Sequence, residues 1–565
     1  MARARARMEY SKLVEVYESL EATASKLGKR DILARLFEES PASDLEKIVL
    51  LATGQVFPSY SEEELGVAEK LMRRAIEKST GHSEAQVTAE FKRTGDLGVT
   101  AENFVRSRSQ STLMRRKLTV DKVFESLKEL PGAVGAGSQE RKLSIIAELV
   151  SSASPKEAKY IVRTVLGTLR IGVAEGIVRD AIAKAFGASA ANVEHAWNMM
   201  PDYGRIASIA RSKGDDGLTG VKIKVGVSLQ VLLAEKAESL KAALDAFERP
   251  IVEVKYDGAR VQIHKDGNVI KLFTRRLEEV TRQFPDIVKM VKERVKANTC
   301  VLDSEAVGMD RRTGRPLPFQ QLSQRIQRKH GIERMVEELP VQVNIFDVLY
   351  ANGKSLLDEK LSERRAVMQK IIKVLPGKFQ LAEHVVTKDL KEAERFYRHA
   401  LDIGEEGVMV KNLDSTYAPG RRVGYWLKVK PTMEPLDLVI VGAEWGTGKR
   451  ANWLSSFILG CRDPRTGEFL QCGMMGTGLT DEQFKEMTKK LRPLVVEERG
   501  RSVKLKPSVV FEVGYQEIQR SPTYDSGFAL RFPRLLRDRS ADKRPEDADT
   551  IERVRKLYES QKKKA

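Results

Sequence analysis

The sequence predicts a multidomain chain: an all-α N-terminal region, an α+β middle and a small C-terminal β-barrel. Three observations carry that expectation. At 565 residues the chain is too long for a single hydrophobic core. Its apolar residues recur at helical spacing up to about residue 218, then alternate with a period of two. Beyond about residue 433, short strands separated by turns replace the mixed pattern.

In the first region Leu13, Val16, Tyr17, Leu20, Ala24 and Leu27 fall on one helical face, with Gly28 as the expected stop. "SEEE" at 61–64 and "SPKE" at 154–157 read as capping-box starts, the second with Pro155 at the first helical position. "RSKGDDGLTG" at 211–220 has the composition of a linker. In the middle region "VEVK", "ARVQIHK", "NVIKLFT", "CVLDSEAV", "VQVNIFDVLY", "EGVMVKN" and "YWLKVK" read as strands. "LSERRAVMQKIIKVL" and "LKEAERFYRHAL" interleave them as helices. After Pro431, "LDLVIVGAEW", "SSFILGCRD", "EFLQCGMM" and "SVVFEVGYQEI" are short strands interrupted by one helix, "TDEQFKEMTKKL". That pattern suits an OB-fold, and the closing "ESQKKKA" reads as a solvated tail.

Composition narrows the function. Lys and Arg number 97 against 79 Asp and Glu, a formal charge of +18 that favours a polyanionic partner, nucleic acid first. Three scattered cysteines exclude a disulfide framework and a four-cysteine zinc site. No apolar run is long enough to span a bilayer. The opening "MARARAR" lacks the apolar segment of a secretory signal, and Met8 is an alternative start behind a short leader. "GTGKR" at 446–450 lacks the spacing of a phosphate loop and reads as a β-turn.

Two lysines precede Asp-Gly pairs in "EVKYDGARVQIHKDG". Asp266-Gly267 lies between two alternating runs and reads as a hairpin turn, leaving Lys265 a solvated strand end. Lys255 differs: Glu253 shares its strand face, and Arg260 follows Gly258 by two residues. Partners later in the chain decide its role. "EVKYDGAR", "LFTRRLEEVT", "LDSEAV", "NIFDVLY", "EEGVMVKN", "YWLKVKP" and "ALRFPRLLRDRSADK" resemble, in order, the nucleotidyltransferase motifs of ATP-dependent DNA ligases. "GTLRIGVAEGIVRDAI" resembles the DNA-encircling domain of the archaeal and eukaryotic replicative type, and "SPTYDSGFALRFPR" its C-terminal OB region. The resemblance covers nearly the whole chain and is closest to the archaeal enzymes.

The resemblance implies an all-α DNA-binding domain at 1–218, an α+β adenylation domain at 219–432 and an OB-fold domain at 433–565. It implies that Lys255 attacks the α-phosphorus of ATP to give lysyl-AMP, that AMP passes to the 5′-phosphate at a nick, and that the 3′-hydroxyl then seals the backbone. An amine must be unprotonated to attack, and nearby cations favour that form. By resemblance Glu253 reads the adenine amino group, Phe346 stacks on the base and Glu305 contacts the ribose. Glu305 and Glu406 hold Mg2+, while Lys428 and Lys430, at i and i+2 of one strand, line the phosphates. Arg260 and Arg275 contact nucleotide or nick phosphates, and Arg422 reaches the triphosphate. Arg531 and Lys543 orient pyrophosphate when the OB domain closes about a hinge near 431–437. The partner implied is nicked duplex DNA, with a sliding clamp left open; the protein is expected to be a cytoplasmic, nucleoid-associated monomer. RNA ligases and mRNA capping enzymes share the lysine chemistry, but a capping enzyme needs no helical clamp. An NAD-dependent ligase would be expected to carry a four-cysteine zinc site. A catalytically silent nucleic-acid scaffold is the rival of another class.

Overall fold

The computed structural model describes residues 7–108, 117–328, 331–431, 433–446, 450 and 452–563. Residues 1–6, the core of the "GTGKR" turn at 447–449, position 432 of the expected hinge and the final two residues lie outside it.

Helices from Tyr10–Ala22 to Tyr203–Thr219 pack around one apolar core that includes Leu13, Tyr17, Tyr160 and Ile206. Local chemistry sets their ends. Ser154 accepts the Glu157 amide while Glu157 reaches back to the Ser154 N–H, so the predicted capping box opens the helix Pro155–Val165. The first helix stops at Ala22 rather than Gly28. Ser25 accepts the Gly28 amide and starts a second helix, Lys26–Glu39, leaving Leu27 exposed. "SEEE" starts no helix either: Ser61 accepts the Glu63 amide in a local turn, and the next helix begins at Glu69. Nor is 211–220 a linker. The helix runs on to Thr219 through a kink at Gly214, anchored by buried Leu218.

Among the described residues of the middle region, one sheet runs β1 (Glu235–Lys236), β11 (Trp426–Val429), β10 (Gly407–Asn412), β2 (Pro250–Lys255) and β9 (His384–Val386). A second runs β4 (Val269–Thr274), β3 (Ala259–Asp266), β5 (Thr299–Gly308), β6 (Val341–Ala351) and β7 (Lys354–Ser355), with β8 (Phe379–Leu381) paired to β6. Alternation divides the second sheet between two cores. Leu302 and Ala306 face one with Val261 and Ile345. Val301, Val307 and Leu349 face the other, meeting Val252, Val254, Val408 and Val410 of the first sheet. All predicted strands of this region form. At the β3–β4 hairpin Gly267 takes φ +55° as expected, but Lys265 is buried and donates to the Val295 carbonyl at 2.6 Å. Its long stem lets a strand-end lysine turn back under the helix Pro285–Arg294, a reach that composition does not reveal.

The C-terminal domain centres on Leu436–Trp445, flanked by Leu454–Arg462 and Ser502–Leu505. Val510–Gly514 pairs with its first half, and a ribbon of Glu517–Arg520 with Phe528–Arg531 stands beside it. Thr480 caps the helix Asp481–Leu491 in a capping box. The described part of "ESQKKKA", residues 559–563, is no free tail: it ends the helix Ile551–Lys563, and Gln561 bonds both backbone groups of Ile518. Arg282 meets Glu62 at 3.3 Å between helical and middle regions, and Gln320 donates to Glu517 at 3.3 Å between middle and C-terminal ones.

His264 on β3 is buried, accepting the Gly226 amide at Nδ1 and sharing a 2.8 Å bond between Nε2 and Gln262. Burial, with Lys271 adding, pushes its imidazole down to about 3 from 6.5. Between those values the unfolded chain binds a proton that the fold refuses, so stability falls as pH drops through that window. His264→Gln should flatten the slope of the middle region's calorimetric midpoint against pH; an unchanged slope would contradict the assignment.

Candidate active site

The site lies where the two sheets of the middle region meet, at the last residue of β2. Antiparallel pairing sets Lys255 against Gly407, and the Glu406 amide donates to the Lys255 carbonyl at 3.0 Å. The Lys255 amine therefore lies beside the Glu406 carboxylate, 2.5 Å from Oε2, which Lys430 approaches at 2.6 Å. Burial works to raise the Glu406 carboxyl, but Lys255 and Lys430 hold it down to about 2. Burial, then Lys430, Lys255, Arg422 and Arg275, press the Lys428 amine below its usual range. Five predicted cations thus act on one small region.

Two glycines make this approach possible. A Cβ on Gly258 would lie 2.4 Å from the Ala306 carbonyl oxygen, so only glycine lets the turn after Lys255 pass over β5. Gly407 takes φ +137°, and a Cβ there would meet the Val429 oxygen at 2.3 Å.

Further carboxyl groups act on the same point. β3–β5 pairing sets Arg260 against Glu305. Burial pushes Glu305 up to about 7; Lys255 and Arg260 oppose the shift, while Glu406 and Asp303 add to it. Burial and Glu406 lift Asp257 to about 6, and burial takes Glu405 to about 8 although it accepts the Asp257 amide at 2.7 Å. Among the described residues no group of three or more His, Cys, Asp or Glu forms a metal cluster. Two carboxylates such as Glu305 and Glu406, whose charges act on each other, fit a hydrated hard cation that fills its shell with water and phosphate oxygens.

A buried wall continues from this face. Glu253 is salt-bridged to both Arg365 and Lys411. Lys411 sits between the rings of Phe346, at 4.5 Å, and Trp426, at 4.2 Å, and these rings meet edge to face. Arg260 lies over the same two rings and grips Asp303 through two bonds of 2.9 and 2.6 Å, with further bonds to Leu232 and Tyr417. Asp347, beside Phe346, is held by Arg364 through bonds of 2.7 and 2.9 Å, both side chains fully buried.

Of the residues expected here, Lys255, Glu406 and Lys430 are in contact. The charges of Lys255, Lys430, Arg275 and Arg422 act on Lys428, and those of Lys255 and Glu406 act on Glu305. Glu253, Arg260 and Phe346 are joined through Lys411 and ring contacts. Arg531 is contributed by the C-terminal ribbon, where it pairs with Glu517 at 3.1 Å and its charge acts on Asp257. Lys543 is not brought in; it is engaged by Asp437 in its own domain. Sequence reading missed Glu405, Lys411, Arg365, Trp426 and Asp303. Trp426, Lys411, Glu405 and Asp303 lay inside the quoted motifs, but nothing in their spacing told wall from core.

The fold and site define an α+β domain that carries a lysine–carboxylate cluster at the end of β2, set between a helical and a β-rich domain. Three family models match in that order: DNA ligase N terminus at residues 9–183, ATP dependent DNA ligase domain at 231–430 and ATP dependent DNA ligase C terminal region at 450–543. A DNA ligase of Thermococcus onnurineus is 46% identical over 98% of this chain and 99% of its own length. One of Nanoarchaeum equitans is 45% identical with the same coverage. The solved structure Pmar-Lig_PreS3 shares the fold at a TM-score of 0.53 and 18% identity, over 93% of this chain and 99% of that one. The chain belongs to the ATP-dependent DNA ligase family.

Replacing Arg364 by leucine would strand Asp347 in a dry core, and breaking such a buried pair costs about 3–5 kcal/mol. Calorimetry should show a lowered midpoint for the middle region, with the C-terminal transition unmoved.

Proposed function

We propose that Lys255 is the nucleophile of an ATP-driven reaction that seals nicks in duplex DNA, and that the domains divide its labour as 1–218 for DNA binding, 219–432 for adenylation and 433–565 for closure. The supporting observation is the Lys255–Glu406–Lys430 contact at the end of β2, ringed by Lys428, Arg275 and Arg422. ATP use and action on nicked DNA follow from family membership.

The Lys255 amine forms a bond to the α-phosphorus as the bond to the β-phosphate oxygen breaks, and pyrophosphate leaves. AMP then passes to the 5′-phosphate at the nick, breaking the phosphorus–nitrogen bond. Attack by the 3′-hydroxyl finally releases AMP. Glu406 pairs with both Lys255 and Lys430, and the surrounding cations favour the unprotonated amine that the attack requires. Lys428, Lys430, Arg275 and Arg422 neutralise charge on the phosphates. Glu305 and Glu406 would hold Mg2+, which supplies further charge neutralisation to the phosphoryl group. Glu253 and Phe346 bound the base, Arg260 backs them, and Glu305 serves the ribose. Arg531, beside Asp257, orients pyrophosphate in the closed form, with Lys543 joining only after leaving Asp437. The C-terminal domain then swings away to admit DNA, because Glu517 and Arg531 occupy the face that DNA needs. The reading puts the protein in the cytoplasm, at the nucleoid, acting as a monomer. No helix among the described residues is long and apolar enough to cross a membrane.

Two measurements test this. With α-labelled ATP the native chain should become covalently labelled, and Lys255→Ala should lose the label by more than about a thousandfold; an unlabelled native chain would point to the scaffold reading. Affinity for nicked duplex should fall about a thousandfold or more between roughly 50 and 200 mM salt, with little dependence on base sequence. Salt-independent binding would contradict a phosphate-directed clamp.

A further inference from the structure

The backbone that follows Lys255 leaves the sheet at once. β2 and β10 pair from Pro250↔Asn412 to Gly407↔Lys255, and the last ladder bond runs from the Glu406 amide to the Lys255 carbonyl. Tyr256, Asp257 and Gly258 then turn toward β3. The Asp257 N–H lies beyond the ladder, and a side chain takes it: Glu405 Oε2 accepts at 2.7 Å from a carboxyl that is itself buried. Its neighbours are fixed by independent means. The Tyr256 hydroxyl accepts the Glu383 amide at 3.1 Å, the Asp257 carboxylate accepts the Phe319 amide at 3.4 Å, and Gly258 is pressed against Ala306. Among these bonds, that of the Asp257 amide is the one in which a side chain takes a backbone N–H of the turn itself.

We propose that Glu405 is a positioning residue for adenylation: its carboxyl oxygen carries the ladder one bond further and holds the turn that aims Lys255. Consecutive residues would then serve the nucleophile in two ways, Glu406 through its amine and Glu405 through its backbone. The proposal rests on Lys255 being the nucleophile. A misplaced attacking atom costs rate far more than substrate affinity, and an error of about 1 Å can slow a reaction about a hundredfold. Glutamine keeps an acceptor oxygen at the same reach, whereas leucine fills the space without one.

The test is single-turnover formation of the enzyme–adenylate in the full-length chain. Glu405→Leu should lower the maximal rate by about ten- to a hundredfold, with half-saturation by ATP shifted less than about threefold, and Glu405→Gln should restore most of the rate. Sealing of a nick that already carries AMP does not use the lysine and should stay within a few-fold of native in both variants. A native adenylation rate for Glu405→Leu, equal loss in both variants, or equal loss in both reactions would overturn the proposal. If the leucine variant fails to fold, hydrogen exchange in the native chain reads the same bond: the Asp257 amide must be protected, and exchange at the speed of a free loop amide would overturn the assignment. Should Lys255→Ala still become labelled, the nucleophile reading itself falls; if it does not, a failure at Glu405 concerns this residue alone.

Discussion

The site depends on the register between β2 and β10. Lys255 opposite Gly407 places the amine next to Glu406, and the same ladder carries Lys411 to the face where Glu253 waits. A slip of one residue would turn Lys255 toward the opposite face of the sheet and exchange Val252 and Val254 for polar neighbours in the core. Register is therefore enforced by apolar burial, and the chemistry inherits its precision from that packing. Gly407 completes the constraint, since the close approach of β11 at Val429 leaves no room for a side chain.

Charge at this point is balanced rather than accumulated. A cluster of cations repels itself, and Glu406 relieves that repulsion by binding Lys255 and Lys430 together. The further carboxyl groups are lifted by burial, Glu305 to about 7, Asp257 to about 6 and Glu405 to about 8, which lets several acids sit close to one another with less charge than their number suggests. Arg260 shows a different economy. Two bonds to Asp303 and its place over Phe346 and Trp426 commit it to the wall, so its positive charge is a fixed feature of the pocket and its donors are already engaged.

Much of this was legible in the sequence, and what was not has physical reasons. Alternating apolar residues marked the strands of the middle region because half-buried strands must alternate, and the order of motifs marked the amine, its carboxylates and "LKVK". Long-range partners left no such trace. Nothing in the local sequence pairs Glu253 with Lys411, or Glu405 with the Asp257 amide, because those contacts exist only once β2 and β10 lie together. The helical region misled where a polar composition hid a helix: residues 211–219 look like a linker, yet Leu218 is buried and a single kink at Gly214 absorbs the irregularity. Lys265 misled in the opposite sense, since its four-carbon stem lets a strand-end charge reach a buried carbonyl.

The domain boundaries differ in kind, and the difference bears on which part moves. At the boundary between helical and middle regions Met199 enters the core beneath β2 and β10, and the Asn198 carbonyl accepts the Gln230 amide at 2.8 Å. Between the middle and C-terminal regions the described apolar cores stay separate, and the contact near the site is polar, from Gln320 to Glu517. A single hydrogen bond contributes about 0.5–1.5 kcal/mol net, whereas truncating a core methionine costs about 2–5 kcal/mol. The C-terminal domain is thus the one held lightly, and it is the one whose ribbon brings the charges of Glu517 and Arg531 to act on Asp257. On the proposed mechanism the nucleotide face is covered for the first step and uncovered for DNA. Placing the weak contact at that face lets the exchange proceed without disturbing the ladder that aims the lysine.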